Sequence, residues 1–200
     1  MPVGSSRAVA YSRSSVPTAD IDALVYDLDG TLVRLDVDWA AVTEDATAAL
    51  RERDVTVTPD SLWTVLQRAR ETGHGATVEE IITEHERVGA NRADRLPLAD
   101  TLPVDPPTAV CSLNAESACR IALERFDLAT HVETVIGRDS VDGMKPDPEP
   151  LVTAVNALGV TPEQTLFVGD SDRDAETAKR AGTAFMTAET FHQEYSDRQV

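Results

Sequence analysis

Two aspartates, one residue apart, follow a short apolar run near the start of the chain. The run Ala23–Tyr26 is typical of an interior strand, and Asp27 and Asp29 come directly after it. Side chains at positions i and i+2 of a strand point to the same side, so these two carboxylates can converge on one spot. Burying two acids side by side is costly unless a cation or a shared proton neutralises them. This stretch therefore predicts a partner for the pair.

A divalent metal ion is the partner that the residue types favour. Carboxylates offer only oxygen ligands, which suit a hard ion such as Mg²⁺, and Mg²⁺ commonly accompanies phosphate. The alternative is a plain turn after a strand, because Asp, Gly and Thr are common turn formers and Gly30 permits a sharp bend. The rest of the chain has to decide between the two.

The chain beyond residue 104 alternates apolar strand patterns with amphipathic helix patterns. Strands are expected at about 108–112, 131–136, 165–168 and 183–186, and the helices between them at about 116–126, 151–158 and 175–181. This alternation predicts a doubly wound α/β core with a parallel sheet, in which ligands bind at the carboxyl ends of the strands. Five polar residues fall at or after such ends: Asp27, Asp29, Ser112, Lys145 and Asp170.

Between the first and second strands lie about seventy residues with helical periodicity. The first helix carries Trp39, Val42 and Leu50. The second is expected to start with Thr58 as N-cap and Pro59 in its first turn. The third is expected to start at Thr77 in a capping box with Glu80. Its apolar stripe would comprise Val78, Ile81, Ile82, His85 and Val88.

These patterns divide the chain into three parts. Residues 1–20, rich in Ser, are predicted to be a flexible leader. Residues 21–33 and 104–200 would form the α/β core. Residues 34–103 would form a small helical cap inserted after the first strand.

Composition limits the partners. The chain has 18 basic and 35 acidic residues and a net charge of −17, which argues against nucleic acid or an anionic membrane. Its basic residues are Arg except for Lys145 and Lys179, and this acidic, Lys-poor composition suggests a cytoplasmic protein adapted to high salt. The two cysteines form no disulfide framework, and no apolar run is long enough for a membrane span. The sequence predicts no oligomeric state.

The polar residues at the strand ends match the needs of phosphate monoester chemistry. Such a reaction requires an in-line nucleophile, a proton donor for the leaving alcohol, and positive charge on the transferring oxygens. Asp27 can serve as the nucleophile and Asp29 as the general acid and base. Mg²⁺ held by Asp27 and Asp170 would offset the charge repulsion. Ser112 and Lys145 can bind the phosphoryl oxygens.

Four segments carry a resemblance to a known family. They are DLDGTL at 27–32, Ser112 after an apolar strand, KPDPEP at 145–150 and VGDSDRDAETAKRAG at 168–182. In order and spacing the chain resembles the haloacid dehalogenase superfamily, in particular its phosphoglycolate phosphatase-like members. The resemblance implies that Asp29 also contributes its backbone carbonyl to the metal and that Asp174 supports the metal site. Because the resemblance includes a second aspartate, at position 29, it implies a phosphatase rather than a dehalogenase of the superfamily.

The predicted function is hydrolysis of a small phosphorylated metabolite, phosphoglycolate-like by analogy. Two alternatives stay open: a phosphomutase on the same scaffold, and a noncatalytic protein that binds a phosphorylated ligand. Arg34 and Asp36, just past the first motif, are candidates for substrate contact. Asp172 is expected to be a first-turn acid of a helix, and His85 to pack within the cap.

Overall fold

The strand at the centre of the fold is the apolar run that precedes Asp27. The computed structural model describes residues 21–58 and 60–198, so the predicted leader and Pro59 lie outside the described residues. The strands are β1 (Ala23–Tyr26), β2 (Val33–Arg34), β3 (Asp94–Arg95), β4 (Thr108–Cys111), β5 (Thr134–Ile136), β6 (Thr165–Gly169) and β7 (Ala184–Thr187). The helices are α1 (Trp39–Arg51), α2 (Leu62–Glu71), α3 (Gly75–Ala90), α4 (Glu116–Arg125), α5 (Glu149–Ala157), α6 (Asp172–Ala181) and α7 (Ala188–Arg198).

Five strands form one parallel sheet in the order β5-β4-β1-β6-β7. The chain moves from β1 outward through β4 to β5, then crosses to the other side of β1 for β6 and β7. The strand order therefore reverses beside β1, and such switch points are where ligands bind in open α/β sheets. The predicted doubly wound α/β fold is confirmed.

Apolar side chains on both faces hold this sheet between two layers of helices. On one face Tyr26, Val110 and Val168 are buried with residues of α4 and α7. On the other face Val25 and Phe167 are buried with residues of α5 and α6. Because the central strands are buried on both faces, their sequences are apolar throughout rather than alternating.

The three helices α1 to α3 pack around an apolar cluster of their own, which includes Val42, Leu66 and Ile82. The short antiparallel pair of β2 and β3 lies where the chain leaves for these helices and returns from them. We use the name cap for residues 34–103, and the division into core and cap stays a prediction.

The predicted starts of two helices are wrong. Helix α2 begins after Ser61, whose side chain accepts a hydrogen bond from the Thr64 backbone amide, and not after Thr58. Helix α3 begins at Gly75, so Thr77 and Glu80 lie within the helix and form no capping box. Ser61 satisfies one of the amides that the first turn leaves without partners, as the predicted cap would have done three residues earlier.

The predicted stripe of α3 is also partly wrong. Val88 is 41% exposed, whereas Glu86 is fully buried together with Val78 and Ile82. The strand expected at 131–136 is shorter, since Ala129–His131 form a 3₁₀ turn before β5. Helix α7 was not predicted. Within the described residues, no helix has the length and hydropathy needed to cross a bilayer.

Candidate active site

The ends of the two central strands place two aspartates side by side. Tyr26 of β1 pairs with Val168 of β6, and the Asp27 amide donates to the Val168 carbonyl at 2.8 Å. Asp27 follows β1 and Asp170 follows β6, so both emerge at the carboxyl edge of the sheet. Hydrogen bonding between β1 and β6, whose paired residues are 142 positions apart in the chain, brings these acids together.

Three carboxylates meet at this edge. Ligand oxygens of Asp27, Asp170 and Asp174 lie within 4.8 Å of one another. Asp27 and Asp174 are buried, while Asp170 is exposed. A cluster of this kind, with oxygen donors only, has the chemistry of a site for a hard divalent cation.

Lys145 supplies a positive charge within the same cluster. Its Nζ lies 2.8 Å from Asp27 Oδ1 and 2.5 Å from Asp174 Oδ1, and it also donates to the Cys111 carbonyl at 3.3 Å. The lysine side chain is 2% exposed. The two negative charges that surround it raise the pKa of Lys145 against the opposing effect of burial, so the amine stays charged.

The charges of this cluster fit a divalent ion. Three carboxylates and one ammonium leave a net charge of minus two when all are ionised. Burial raises the pKa of Asp27 to about 6, against the lowering effect of Lys145. Burial and the charge of Asp174 also raise the pKa of Asp170. Lys145 therefore offsets only part of the negative charge. The two negative charges that remain when all groups are ionised equal in size the charge of Mg²⁺.

Asp174 has the most hydrogen bonds of the three. Its Oδ1 accepts from Lys145, and its Oδ2 accepts from the Ser171 hydroxyl at 2.5 Å and the Ser171 amide at 3.2 Å. Both oxygens are thus held in place within the first turn of α6. This geometry suits a residue that fixes Lys145 and the loop rather than one that gives both oxygens to an ion.

Gly30 lets the two strand ends approach each other. Its φ of +89° is unfavourable for a residue with a Cβ, and a Cβ there would lie 2.0 Å from Asp170 Oδ2. Gly30 is therefore required both by the turn and by the carboxylate beside it.

Asp29 lies next to this cluster, but its side chain is outside it. Asp29 Oδ1 accepts a hydrogen bond from the Leu35 amide at 2.9 Å, which orients the carboxyl group. Burial raises the pKa of Asp29, and the negative charge of Asp170 contributes. A carboxyl group with a raised pKa retains a proton more readily, as a general acid must.

Ser112 is buried directly after β4. Its Oγ donates to Asn114 Oδ1 at 3.1 Å and accepts from the Asn114 amide at 3.2 Å. Lys145 reaches the neighbouring Cys111 carbonyl, so β4 brings the serine to the same edge as the acidic cluster. Of the predicted site residues, Asp27, Asp170, Asp174 and Lys145 are in direct proximity, and Asp29 and Ser112 border them.

Comparison with known proteins identifies the family. Residues 106–188 match the family model of the haloacid dehalogenase-like hydrolases. Over 199 residues the chain is 33% identical to the phosphoglycolate phosphatase of Salmonella typhimurium strain LT2, covering 82% of this chain and 79% of that protein. The chain belongs to the haloacid dehalogenase-like hydrolases. The predicted resemblance to their phosphoglycolate phosphatase-like members is confirmed.

The chain has two further similarities, which differ in the share of the sequence that they cover. A segment of 60 residues is 53% identical to the phosphoglycolate phosphatase of Salmonella paratyphi A, and it spans 30% of this chain but only 24% of that relative. In fold, the chain is similar to CbbY from Rhodobacter sphaeroides, whose crystal structure is known in complex with phosphate. The TM-score is 0.63 at 20% identity, over 84% of this chain and 85% of that one.

The remaining candidate residues are exposed or have partners outside the acidic cluster. His85 Nε2 is 2.9 Å from Asp45 Oδ2 within the cap. Asp172 is the exposed first residue of α6. Arg34 and Asp36 are exposed, and the charge of Arg34 acts on both Asp29 and Asp170.

Sequence reasoning missed two buried charged residues, Glu86 and Arg138. Arg138 Nη1 lies 2.6 Å from Glu86 Oε1, which joins α3 to the loop after β5. Glu86 falls one turn after Ile82, a position that helical spacing assigns to the buried face. That spacing was the available signal, but a charged residue there was not expected to be buried.

Proposed function

We propose that this protein is a Mg²⁺-dependent phosphomonoester hydrolase that acts on a small phosphorylated metabolite through an aspartyl-phosphate. The observation that carries the proposal is the convergence of Asp27, Asp170 and Lys145 at the switch point of the sheet. The phosphoglycolate phosphatases among its relatives suggest phosphoglycolate as the first substrate to test.

Asp27 is proposed as the nucleophile. Its carboxylate attacks phosphorus, an acyl phosphate bond forms, and the ester P–O bond breaks. Lys145, bonded to Asp27 Oδ1, fixes the orientation of this carboxylate and favours its ionised form.

Asp29 is proposed as the general acid and base. In the first step its proton goes to the oxygen of the leaving alcohol. In the second step its carboxylate takes a proton from the water that attacks the acyl phosphate, which releases inorganic phosphate and regenerates Asp27. Its raised pKa and its hydrogen bond from the Leu35 amide support this role.

Asp27, Asp170 and the backbone carbonyl of Asp29 are the proposed Mg²⁺ ligands, with Asp174 in support. When bound, Mg²⁺ supplies the positive charge that lets an anionic ester approach an anionic nucleophile. The Ser112 hydroxyl and the Lys145 ammonium are proposed to bind the phosphoryl oxygens. The helical cap, residues 34–103, would exclude water and select the substrate.

The composition supports a cytoplasm of high salt as the environment in which this activity takes place. An excess of 17 acidic charges on a chain with two lysines suits a cytoplasm of high salt, where counterions screen self-repulsion. Assays are therefore best run in molar KCl.

The test is release of inorganic phosphate from a panel of phosphorylated metabolites, phosphoglycolate included, with MgCl₂ or with EDTA. We expect turnover only with Mg²⁺, and its loss in Asp27→Asn with the circular dichroism spectrum unchanged. A variant that keeps near-normal rates would contradict the proposal. Transfer of phosphate between positions of a sugar without its release would favour the phosphomutase, and tight binding without turnover would favour a phospho-ligand-binding protein.

A further inference from the structure

Glu86 is a fully buried acid on cap helix α3 that the proposed chemistry does not use. Its carboxylate accepts four hydrogen bonds, and every donor belongs to the core side of the fold. Oε1 accepts from Arg138 Nη1 at 2.6 Å and from Asn114 Nδ2 at 3.2 Å. Oε2 accepts from Arg138 Nη2 at 3.1 Å and from the Ala115 amide at 2.9 Å.

The negative charge of Glu86 is neutralised by the buried guanidinium of Arg138. The side chain of Arg138 is 0% exposed and faces Glu86 with two parallel hydrogen bonds, the strong geometry for this pair. Arg138 also donates to Glu79 at 2.9 Å and to the Leu113 carbonyl at 2.8 Å. Glu79 in turn pairs with Arg70 at 2.8 Å. Two acids and two arginines thus form a neutral group between cap and core.

Glu86 also determines which way the amide of Asn114 points. Because the NH₂ group of Asn114 donates to Glu86, its Oδ1 faces the Ser112 hydroxyl at 3.1 Å. The Asn114 backbone amide donates to the same hydroxyl at 3.2 Å. A continuous chain of hydrogen bonds therefore runs from Glu86 through Asn114 to Ser112.

We propose that Glu86 is a positioning residue that acts through Asn114 to orient the hydroxyl of Ser112 for phosphate. The inference rests on the proposed function, which gives Ser112 its role in phosphate binding. It assigns to a cap residue a part in building the phosphate site of the core. Asn114 orients correctly only while α3 presents its acid to the core.

Glu86→Gln changes this contact with little change in shape. Whichever way the new amide turns, its NH₂ group faces donors that the carboxylate accepted, so one side of the contact becomes repulsive. Where the NH₂ group faces Asn114, that residue loses its fixed orientation, and Ser112 loses the acceptor that orders it. We expect affinity for inorganic phosphate to fall about tenfold, as for loss of one good hydrogen bond.

The experiment is calorimetric titration of inorganic phosphate into the full chain with excess MgCl₂ in molar KCl. The proteins compared are the wild type, Glu86→Gln, Ser112→Ala and the double variant. If Glu86 acts through Ser112, the double variant should bind phosphate as weakly as Ser112→Ala and no more weakly. A merely structural role for Glu86 would instead give losses that multiply.

Glu84→Gln is the matched control, because it is the same change on the same helix at a side chain that is 67% exposed. It should bind phosphate like the wild type. Should Glu86→Gln fail to fold, Asn114→Ala takes its place, since it removes the link and leaves the pair of Glu86 and Arg138 intact. The same loss and the same non-additivity with Ser112→Ala are expected.

Wild-type affinity in Glu86→Gln, or multiplied losses in the double variant, would overturn the inference while wild-type turnover left the proposed function standing. If the wild type neither bound phosphate nor released it from esters, the inference and the proposed function would fail together.

Discussion

Lys145 forms ion pairs with two buried carboxylates, those of Asp27 and Asp174, and so stabilises the candidate site. A single ammonium offsets one of the negative charges of Asp27 and Asp174, and Asp170 adds another beside them. Burying like charges together is tolerated only with compensating cations. The sequence predicted a cation between the acids. The chain supplies part of the required positive charge itself, through the ammonium group of Lys145.

As a proposed Mg²⁺ ligand, Asp27 would make metal binding depend on pH. Burial raises its pKa from 3.8 to about 6 in the metal-free fold. Between these values the unfolded carboxyl has lost its proton while the folded one keeps it. This group therefore makes the metal-free fold less stable as pH rises through that window. Mg²⁺ competes with the same proton, so its binding should strengthen over the same window.

The expected result is a rise in melting temperature with MgCl₂ relative to EDTA that is larger at about pH 8 than at about pH 5. At a free Mg²⁺ concentration of about a hundred times its Kd, the free energy of unfolding should rise by about 2.7 kcal/mol. Asp170→Asn should abolish this rise in melting temperature, because Asp170 is one of the proposed Mg²⁺ ligands. Asp172→Asn, two residues away and exposed, should retain it. Equal gains in both variants would rule out Asp170 as a ligand.

Residue types pointed to the candidate reacting groups but not to the buried residues that hold them. Asp27 stood out as an acid directly after an apolar strand, and Lys145 stood out as one of only two lysines in the chain. Glu86 and Arg138 did not stand out, because a charged pair on a helix and a loop is ordinarily solvated. Their burial depends on two surfaces that meet only in the folded chain.

At the scale of elements, strands were easier to predict than helix ends. The central strands are buried on both faces, so unbroken apolar runs mark them clearly. Helix N-termini depend on which of several Ser or Thr residues reaches the free amides, and Ser61 was preferred over Thr58. Helix α7 was missed because it follows β7 directly, and its polar sequence carries few apolar residues to mark a face.

The turn after β1 gives a prediction at this scale. Gly30→Ala should lower stability by about 1 kcal/mol through its positive φ and should also displace Asp170, weakening the response to Mg²⁺. Gly159→Ala is the matched control, because Gly159 has a φ of +73° but no atom within 4 Å of the added Cβ. Thermal melts with and without MgCl₂ would separate the two effects. A normal Mg²⁺ response in Gly30→Ala would show that the close approach is not needed.

The whole molecule carries a net charge of −17, so its acidic side chains repel one another and destabilise the compact folded state. Salt screens such repulsion, with a Debye length of about 10 Å at 0.1 M and about 3 Å at 1 M. We therefore expect the melting temperature to rise from dilute buffer to molar KCl. Maximal stability in dilute buffer would contradict the idea of adaptation to high salt.

Charge reversal tests whether screening is the cause. Glu44, Asp105 and Glu124 are exposed, and changing all three to Lys would take the net charge from −17 to −11. This triple variant should be more stable in dilute buffer and should gain less from KCl. An unchanged gain would point to an effect of salt other than screening of the net charge.

The central claim is that Asp27 becomes phosphorylated during turnover, and a rapid-quench measurement tests it most directly. In Asp29→Asn with p-nitrophenyl phosphate, whose leaving group needs little protonation, the first step should outpace the second. The result we predict is a burst of one p-nitrophenol per chain, with the phosphoryl group on the peptide that contains Asp27. Steady release without a burst, together with no phosphorylated peptide in an otherwise active protein, would contradict the account.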